Sequence, residues 1–411
     1  MRRRQLLRAA AVTAGAAAAG TVLDASSGQP GAWAVRPGAG PYGPLREPDG
    51  SGIRLPDGFS SRVIARANEP VAGTVYPWHI LPDGGATFAT GDGGWVYTSN
   101  SEVPAPGTGG VSAVRFGADG EVSDAYRILA GTRMNCAGGS TPWGTWLSCE
   151  EHDAGLVWEC DPFTPFSQGM AREAMGAFTH EAAAVDPAGQ RIYLTEDVSD
   201  GGLYRFTPAR FPDLSDGLLE IAVVDGYRGT AAGGGGPVSW VEVPDPGAGA
   251  TPTRDQVRES TAFDGGEGIW FSAGSGMVFF TTKGDHRMWR YLPGSGALKV
   301  IYHADALDDP PIYGVDNLTV ARGGDIYIAE DPAGSDTSAL ALMLVTGDGG
   351  VSTFAEVTDQ PGSELAGPAF DPAGQRLYFS SQRGGPLSAP PGRPGAGLGI
   401  TYEITGPFRG R

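Results

Sequence analysis

EAAAVDPAGQRIYLTED, Glu181 to Asp197, returns later in the chain as ELAGPAFDPAGQRLYFSSQ, Glu364 to Gln382. Each stretch is an alternating apolar run, a DPAGQR turn and a second alternating run. That is a β-hairpin: side chains of period two face opposite sides of a sheet, and Asp, Pro and Gly supply the turn. DNLTVARGGDIYIAED, Asp316 to Asp331, has the same form with a shorter turn, and so does EGIWFSAGSGMVFFTTKGD, Glu267 to Asp285. Looser copies are WHILPDGGATFATGDGGWVYTSNSE, Trp78 to Glu102, and NCAGGSTPWGTWLSCEE, Asn135 to Glu151. Copies mostly about 45 to 55 residues apart have the length of a four-stranded blade. The chain is therefore predicted to be all-β, a six-bladed β-propeller, with seven blades as the alternative.

Working outward from the copies, VSAVRF, GLYRFTP, RMWRYLP, LALMLVTGDG and ITYEITG are candidate outer strands. The last of them, near the C-terminus, is placed to close the ring with the first blade. One gap between copies is long and holds TAAGGGGPVSWVEVPDPGAGATPTRD. Its Gly and Pro runs predict an inserted surface excursion or lid around residues 228–256 of a single propeller domain spanning 41–411. Gly 66 and Pro 33, scattered between short apolar runs, fit many tight turns. A net charge of -18, from 29 basic and 47 acidic residues, argues against nucleic acid as a partner and suits cation binding. With only five His, a His-built zinc site is not expected.

The chain opens MRRRQLLRAAAVTAGAAAAG, an arginine cluster before an Ala-rich run too short and too weakly apolar to span a membrane. Residues 1–40 are read as a twin-arginine export signal, built on Arg3 and Arg4, followed by a flexible lead-in. The protein is thus expected outside the cytoplasm, periplasmic or extracellular, as a monomer without stable membrane insertion, and with the twin-arginine machinery as a partner. Of the three cysteines, Cys149 and Cys160 flank a short predicted hairpin and either form a disulfide or stay reduced in the core, leaving Cys136.

In a propeller the first strand of each blade lines a central channel, so equivalent positions of successive copies meet there. At the start of the first strand these positions carry Glu181, Glu267, Asp316 and Glu364. At the end of the second they carry Glu102, Glu150, Glu151, Glu196, Asp197, Glu330 and Asp331. Converging carboxylates repel strongly at low dielectric unless cations sit among them. Asp186 and Asp371 of the DPAGQR turns are expected only to cap those turns. Glu150 and Glu151 face opposite sides of one strand and have no Lys or Arg close by in sequence, which suggests a metal ligand unless the strand end is solvated. Oxygen ligands favour Ca²⁺, Mg²⁺ or Fe³⁺, and Cys136 among them pulls toward iron. The candidate metal set is Cys136, Glu150, Glu151, Glu181, Glu196, Glu267, Asp316, Glu330 and Glu364. His180, beside Glu181, is a candidate acid or supporting partner.

NCAGGSTPWGTWLSCEE, FTHEAAAVD, VDNLTVARGGDIYIAED, ELAGPAFDPAGQRLYFSSQ and the opening YGPLREPDGSGIRLPDGFSSRVIA resemble recurring motifs of the PhoX-type alkaline phosphatase family, over roughly residues 42 to 385. The resemblance implies an exported six-bladed propeller whose channel-bound iron and calcium, Fe³⁺ and Ca²⁺, hydrolyse small-molecule phosphate esters. It implies iron ligation by Cys136, and metal ligation by Glu150, Glu151, Glu181, Glu267 and an acid of the Asp316 copy. FDGGEG, Phe263 to Gly268, lacks the arginine that the family pattern leads one to expect beside the glutamate. Lys283, Arg287 and Arg290 are the nearest basic residues. Glu181, His180 and Arg290 are accordingly the catalytic candidates. A calcium-only propeller hydrolase acting on lactones and a non-catalytic binding propeller braced by ions are the competing readings.

Overall fold

A computed structural model describes residues 36–227, 234–332, 339–385 and 397–410, so the expected export signal with Arg3 and Arg4 lies outside the described residues. Regular structure is almost entirely β. Among the described residues the only helical pieces are 3₁₀ turns at Glu173–Met175, Thr253–Asp255 and Ala304–Ala306, and no helix is long and apolar enough to cross a membrane.

Each repeat copy begins with one strand: Pro82–Ala89, Asn135–Ser140, His180–Asp186, Gly266–Ser272, Val315–Val320 and Leu365–Phe370. Each pairs antiparallel with the second strand of its own hairpin. The runs expected as outer strands follow as third strands, for example Gly109–Phe116 and Arg287–Leu292. The first strands touch one another in chain order and the last touches the first, which closes a ring and makes the architecture propeller-like. Side-chain size explains the taper. Gly and Ala crowd the ring, where a Cβ on Gly139 would lie 1.9 Å from Ala183 O. Farther out, fully buried Tyr97, Tyr193, Phe280, Tyr327 and Tyr378 fill the widening space between sheets.

Three of the sheets have four strands and one has six, while a fifth, of nine strands, has His180–Asp186 at one end and Gly266–Ser272 at the other. The link inside the nine-stranded sheet is Gly235–Glu242, which pairs with Asp213–Val224 on one side and Ala297–His303 on the other. The Gly/Pro-rich stretch expected as an excursion around 228–256 is thus partly a sheet strand, because SWVE alternates well enough to pair; 228–233 lie outside the described residues.

ITYEITG does take part in closure. Ile400–Thr405 pairs with Ser60–Arg66, so the last sheet is built from both ends of the described chain. Buried Glu403 fixes this seam: Arg62 Nε lies 2.8 Å from it, Arg376 Nη1 2.7 Å, and Tyr378 donates its hydroxyl at 2.8 Å. Ile404, 0% exposed, packs on the same strand. Ile404→Ala should lower unfolding free energy by about 2–5 kcal/mol through lost burial and the cavity left behind. Denaturant titration checks this, and a loss below about 0.5 kcal/mol would mean that the seam is not part of the cooperative core.

Candidate metal centre

All six first strands break register at the same place. Two first-strand residues face one of the second strand between Pro82 and Gly85, Asn135 and Gly138, His180 and Ala183, Gly266 and Ile269, Val315 and Leu318, and Ala366 and Ala369. Such a bulge leaves a residue out of the ladder and re-aims its side chain. The first unpaired residues are Asp83, Cys136, Glu181, Glu267, Asp316 and Gly367. Gly367 is the one without a ligand atom: its φ is +60°, and a Cβ there would stand 2.7 Å from Asp83 O. Side chains of the preceding hairpin brace the bulges. Asn100 Nδ2 donates to Cys136 O at 3.0 Å and Ala137 O at 2.8 Å, Thr195 Oγ1 to Glu267 O at 2.5 Å, and Thr281 Oγ1 to Asp316 O at 2.6 Å.

A second series lies just beyond the second strands. The backbone N–H groups of Glu102, Glu151, Asp197, Lys283, Asp331 and Gln382 donate to the carbonyls of Leu81, Met134, Thr179, Gly265, Gly314 and Glu364 respectively. The two series together bring donors into three triads, each with its ligand atoms within 4.8 Å of one another: Asp83, Glu102 and Cys136; Cys136, Glu151 and Glu181; Glu181, Glu267 and Asp316. Cys136 and Glu181 each belong to two triads, so the donors form one continuous row. Asn317 Nδ2 donates to Glu181 Oε1 at 3.2 Å and Asp316 Oδ1 at 2.8 Å, while its Oδ1 accepts from Gly367 N at 2.8 Å. Lys283 Nζ lies 2.7 Å from Glu267 Oε1 and 3.0 Å from Asp331 Oδ2. The Gln382 amide donates to Asp83 and Glu102, and Arg383 pairs with Glu364.

Of the residues expected from sequence to converge on the channel or bind metal, Glu102, Cys136, Glu151, Glu181, Glu267 and Asp316 meet in this row. Glu150, Glu196 and Glu330 are not brought to it, because strand alternation turns the last residue of the second strand away from the one that follows. Glu150 instead accepts from Arg133 N at 3.0 Å and Trp158 Nε1 at 2.9 Å. Glu196 accepts from Gly202 N at 2.8 Å, Tyr204 OH at 2.7 Å and Arg254 Nη1 at 2.9 Å, and Glu330 from Ala341 N at 2.9 Å. Their successors Glu151, Asp197 and Asp331 take the channel positions. Glu364 stands level with Leu81 and Met134, not with Glu181, since the register of ELAGPAF puts the bulge at Gly367.

His180 is fully buried, stacks on Phe178 with centroids 3.5 Å apart, and its Nε2–H donates to Gly176 O at 3.0 Å. Burial lowers its pKa to about 3, which favours the neutral ring over the imidazolium. Arg290 sits on a third strand opposite Phe279 and Lys299, two strands away from the ring. All three cysteines are free; Cys149 lies opposite Val157, and Cys160 opposite Trp146. Asp83, Asn317, Gln382 and Arg383 were missed as site residues. Asp83 had a readable signal, since PDGG, Pro82 to Gly85, aligns with NCAG, Asn135 to Gly138, once the bulge is known.

Electrostatics decide what this row can hold. Burial raises the pKa of Asp83, Glu102, Glu151, Glu181, Glu267 and Glu364, and neighbouring carboxylates add to the rise in most of them. Asp316 is brought up to about 6, chiefly by burial, with Lys283 opposing. The Cys136 thiol is pushed up by burial and then by Asp83, Glu181, Glu151 and Glu102. Burial would lower the Lys283 pKa, but the charges of Glu267, Asp316, Asp197 and Asp331 outweigh it and keep the ammonium protonated. Glu181 Oε2 is buried with no hydrogen-bond donor beyond the nearby Cys136 thiol. Acids packed in this way take up either protons or a cation. The donors are carboxylate oxygens with one sulfur, a set that fits Ca²⁺ along its length and iron around Cys136.

The sequence profile of the family described as alkaline phosphatase PhoX matches residues 97–154 and 151–385, more than half of the chain and nearly all of the donor row. Among solved structures, Pseudomonas fluorescens PhoX in complex with vanadate, a transition state analogue, superposes with a TM-score of 0.71 at 18% identity, over 87% of this chain and 96% of that one. A Bacteroides thetaiotaomicron protein of unknown function gives 0.50 at 9% identity over 84% and 76%. A Xanthomonas campestris gluconolactonase gives 0.43 at 14% identity over 89% and 99%. No curated protein matches.

A pH dependence follows from the raised carboxyl values. A group whose folded pKa lies above its unfolded one stabilises the fold below the unfolded value, and that contribution is lost as pH rises through the folded value, about 6 for Asp316. Chelator-treated protein should therefore lose a few degrees of Tm between about pH 5 and about pH 8, and saturating Ca²⁺ should abolish the decline. A Tm of the stripped protein that stays flat or rises over this range would contradict protonated acids in the channel.

Proposed function

The chain belongs to the PhoX alkaline phosphatase family, and from that membership we propose that it is an exported, metal-dependent phosphatase hydrolysing phosphate esters of small molecules in the channel of a six-bladed propeller. Six is the count if Gly235–Glu242 joins two four-stranded blades into the nine-stranded sheet; the cycle of six first strands supports it.

The observation that carries the reading is the continuous row in which Cys136 and Glu181 each serve two triads. Cys136, Glu151 and Glu181 would hold Fe³⁺, for which a thiolate is a suitable ligand, and Glu181, Glu267 and Asp316 would hold Ca²⁺. Cations bound there neutralise phosphoryl oxygens and lower the pKa of water at the site. The chain's own residues supply the rest. Asn317 holds the Glu181 and Asp316 carboxylates in one orientation through its amide. Arg383 is 43% exposed and anchored by Glu364 and Gln382. It is the guanidinium we assign to receiving the phosphate dianion, in place of the arginine missing from FDGGEG. The calcium-only lactone-hydrolase reading leaves the Cys136 thiol without a role.

Loaded with calcium and iron, the protein should hydrolyse aryl phosphates at neutral to alkaline pH, lose the activity on chelation, and be inhibited by vanadate, the transition state analogue bound in the Pseudomonas fluorescens PhoX complex. No metal-dependent turnover on a panel of phosphate mono- and diesters would overturn the phosphatase assignment. Cys136→Ser, which exchanges a soft ligand for a poorly ionised hydroxyl, should lose most of the iron and retain calcium. Folded Cys136→Ser protein with native iron content would remove Cys136 from the ligand set.

Export is read from residues outside the described structure. Replacing Arg3 and Arg4 together with Lys should hold folded protein inside the cell by denying it the twin-arginine machinery. Normal export of that variant would contradict the assignment.

A further inference from the structure

Of the 29 basic residues in this chain, only Lys283 and Lys299 are lysines. Lys299 is exposed. Lys283 occupies the channel position that the other hairpins fill with Glu102, Glu151, Asp197, Asp331 and Gln382. Its ammonium lies 2.7 Å from Glu267 Oε1, 3.0 Å from Asp331 Oδ2 and 3.7 Å from Asp197 Oδ2. Three carboxylates thus face one compact point charge with three donors. Guanidinium, which the chain uses nearly everywhere else, is planar and spreads its charge over a fork. Asp197 and Asp331 belong to none of the three metal-capable triads, so among the described residues Glu267, a member of the last triad, is where the donor row meets the ammonium.

We propose that Lys283 is a resident cation standing in the place of one divalent ion, so that Glu267, Asp197 and Asp331 form a metal position closed by the chain itself. The inference rests on reading the channel as a metal centre and is independent of the phosphatase assignment. It implies that one positive charge of the centre survives chelation, and that Glu267 is divided between the ammonium and its triad with Glu181 and Asp316.

The test is a count of calcium ions. Native protein and Lys283→Met, a variant of similar side-chain length without charge, are equilibrated with Ca²⁺, freed of excess ion and measured by elemental analysis and native mass spectrometry. Lys283→Met should carry about one more calcium per chain than the native protein, because removal of the ammonium frees three carboxylates for an oxygen-ligated cation. Adding Asp331→Asn to that variant should abolish the gain. Folded Lys283→Met with the native calcium number would overturn the proposal while leaving the metal centre intact, whereas native protein that binds no metal would overturn both. If Lys283→Met does not fold, amine acetylation of chelated native protein decides. Lys299 should then be modified and Lys283 protected by its carboxylates, and equal modification of the two would overturn the proposal.

Discussion

Two residues set against one, at the start of every first strand, are the constraint on which the channel depends. A regular antiparallel ladder sends side chains to the two faces of its sheet, and in a ring of sheets those faces meet neighbouring sheets. The edge that looks onto the axis receives a side chain only where the pairing is broken. The repeated bulge makes that break six times, and Asn100, Thr195 and Thr281 hold the displaced backbone in place from the hairpin before. Gly367 is the exception that shows how little room there is, since its φ of +60° and the nearness of Asp83 O admit no side chain.

Charge follows from that geometry. Once the bulges and the second-strand ends converge, the carboxylates outnumber Lys283, Arg383 and the amides of Asn317 and Gln382 that face them, in a chain whose net charge is already -18. Such an excess calls for protons or for cations, and burial, which raises the pKa values of the row, favours the protonated acids where no cation is bound. Polar contacts elsewhere do not share the problem. Glu150, Glu196 and Glu330 each have a donor from their own sheet, and Glu403 lies between two arginines.

Much of this was legible in the sequence, for identifiable reasons. The shared DPAGQR turns and the alternating runs around them expose the repeat, hence the all-β architecture and the convergence of acids. Which acid of a neighbouring pair turns inward was not legible: Glu196 and Asp197 are equally acidic, and only the register separates them. Glu364 looked equivalent to Glu181 because both open their copies with glutamate, but the pairing puts Gly367 at that level. Asp83 was hidden in a PDGG that reads as a turn, and Lys283 in a KGDHR run that reads as surface. The Gly/Pro runs around Gly235–Glu242 concealed a strand, since composition reports turns more loudly than the short alternation between them.

The central claim is that the row from Asp83 to Asp316 is a cation centre and not a set of mutually protonated acids. Anomalous diffraction from crystals grown with calcium and iron tests it most directly. The account predicts iron scattering between Cys136, Glu151 and Glu181, and calcium between Glu181, Glu267 and Asp316, with carboxylate oxygens at about 2.3–2.6 Å from the calcium. A channel without metal peaks, its carboxyl groups hydrogen-bonded to one another or to water at a pH near 8, would contradict it.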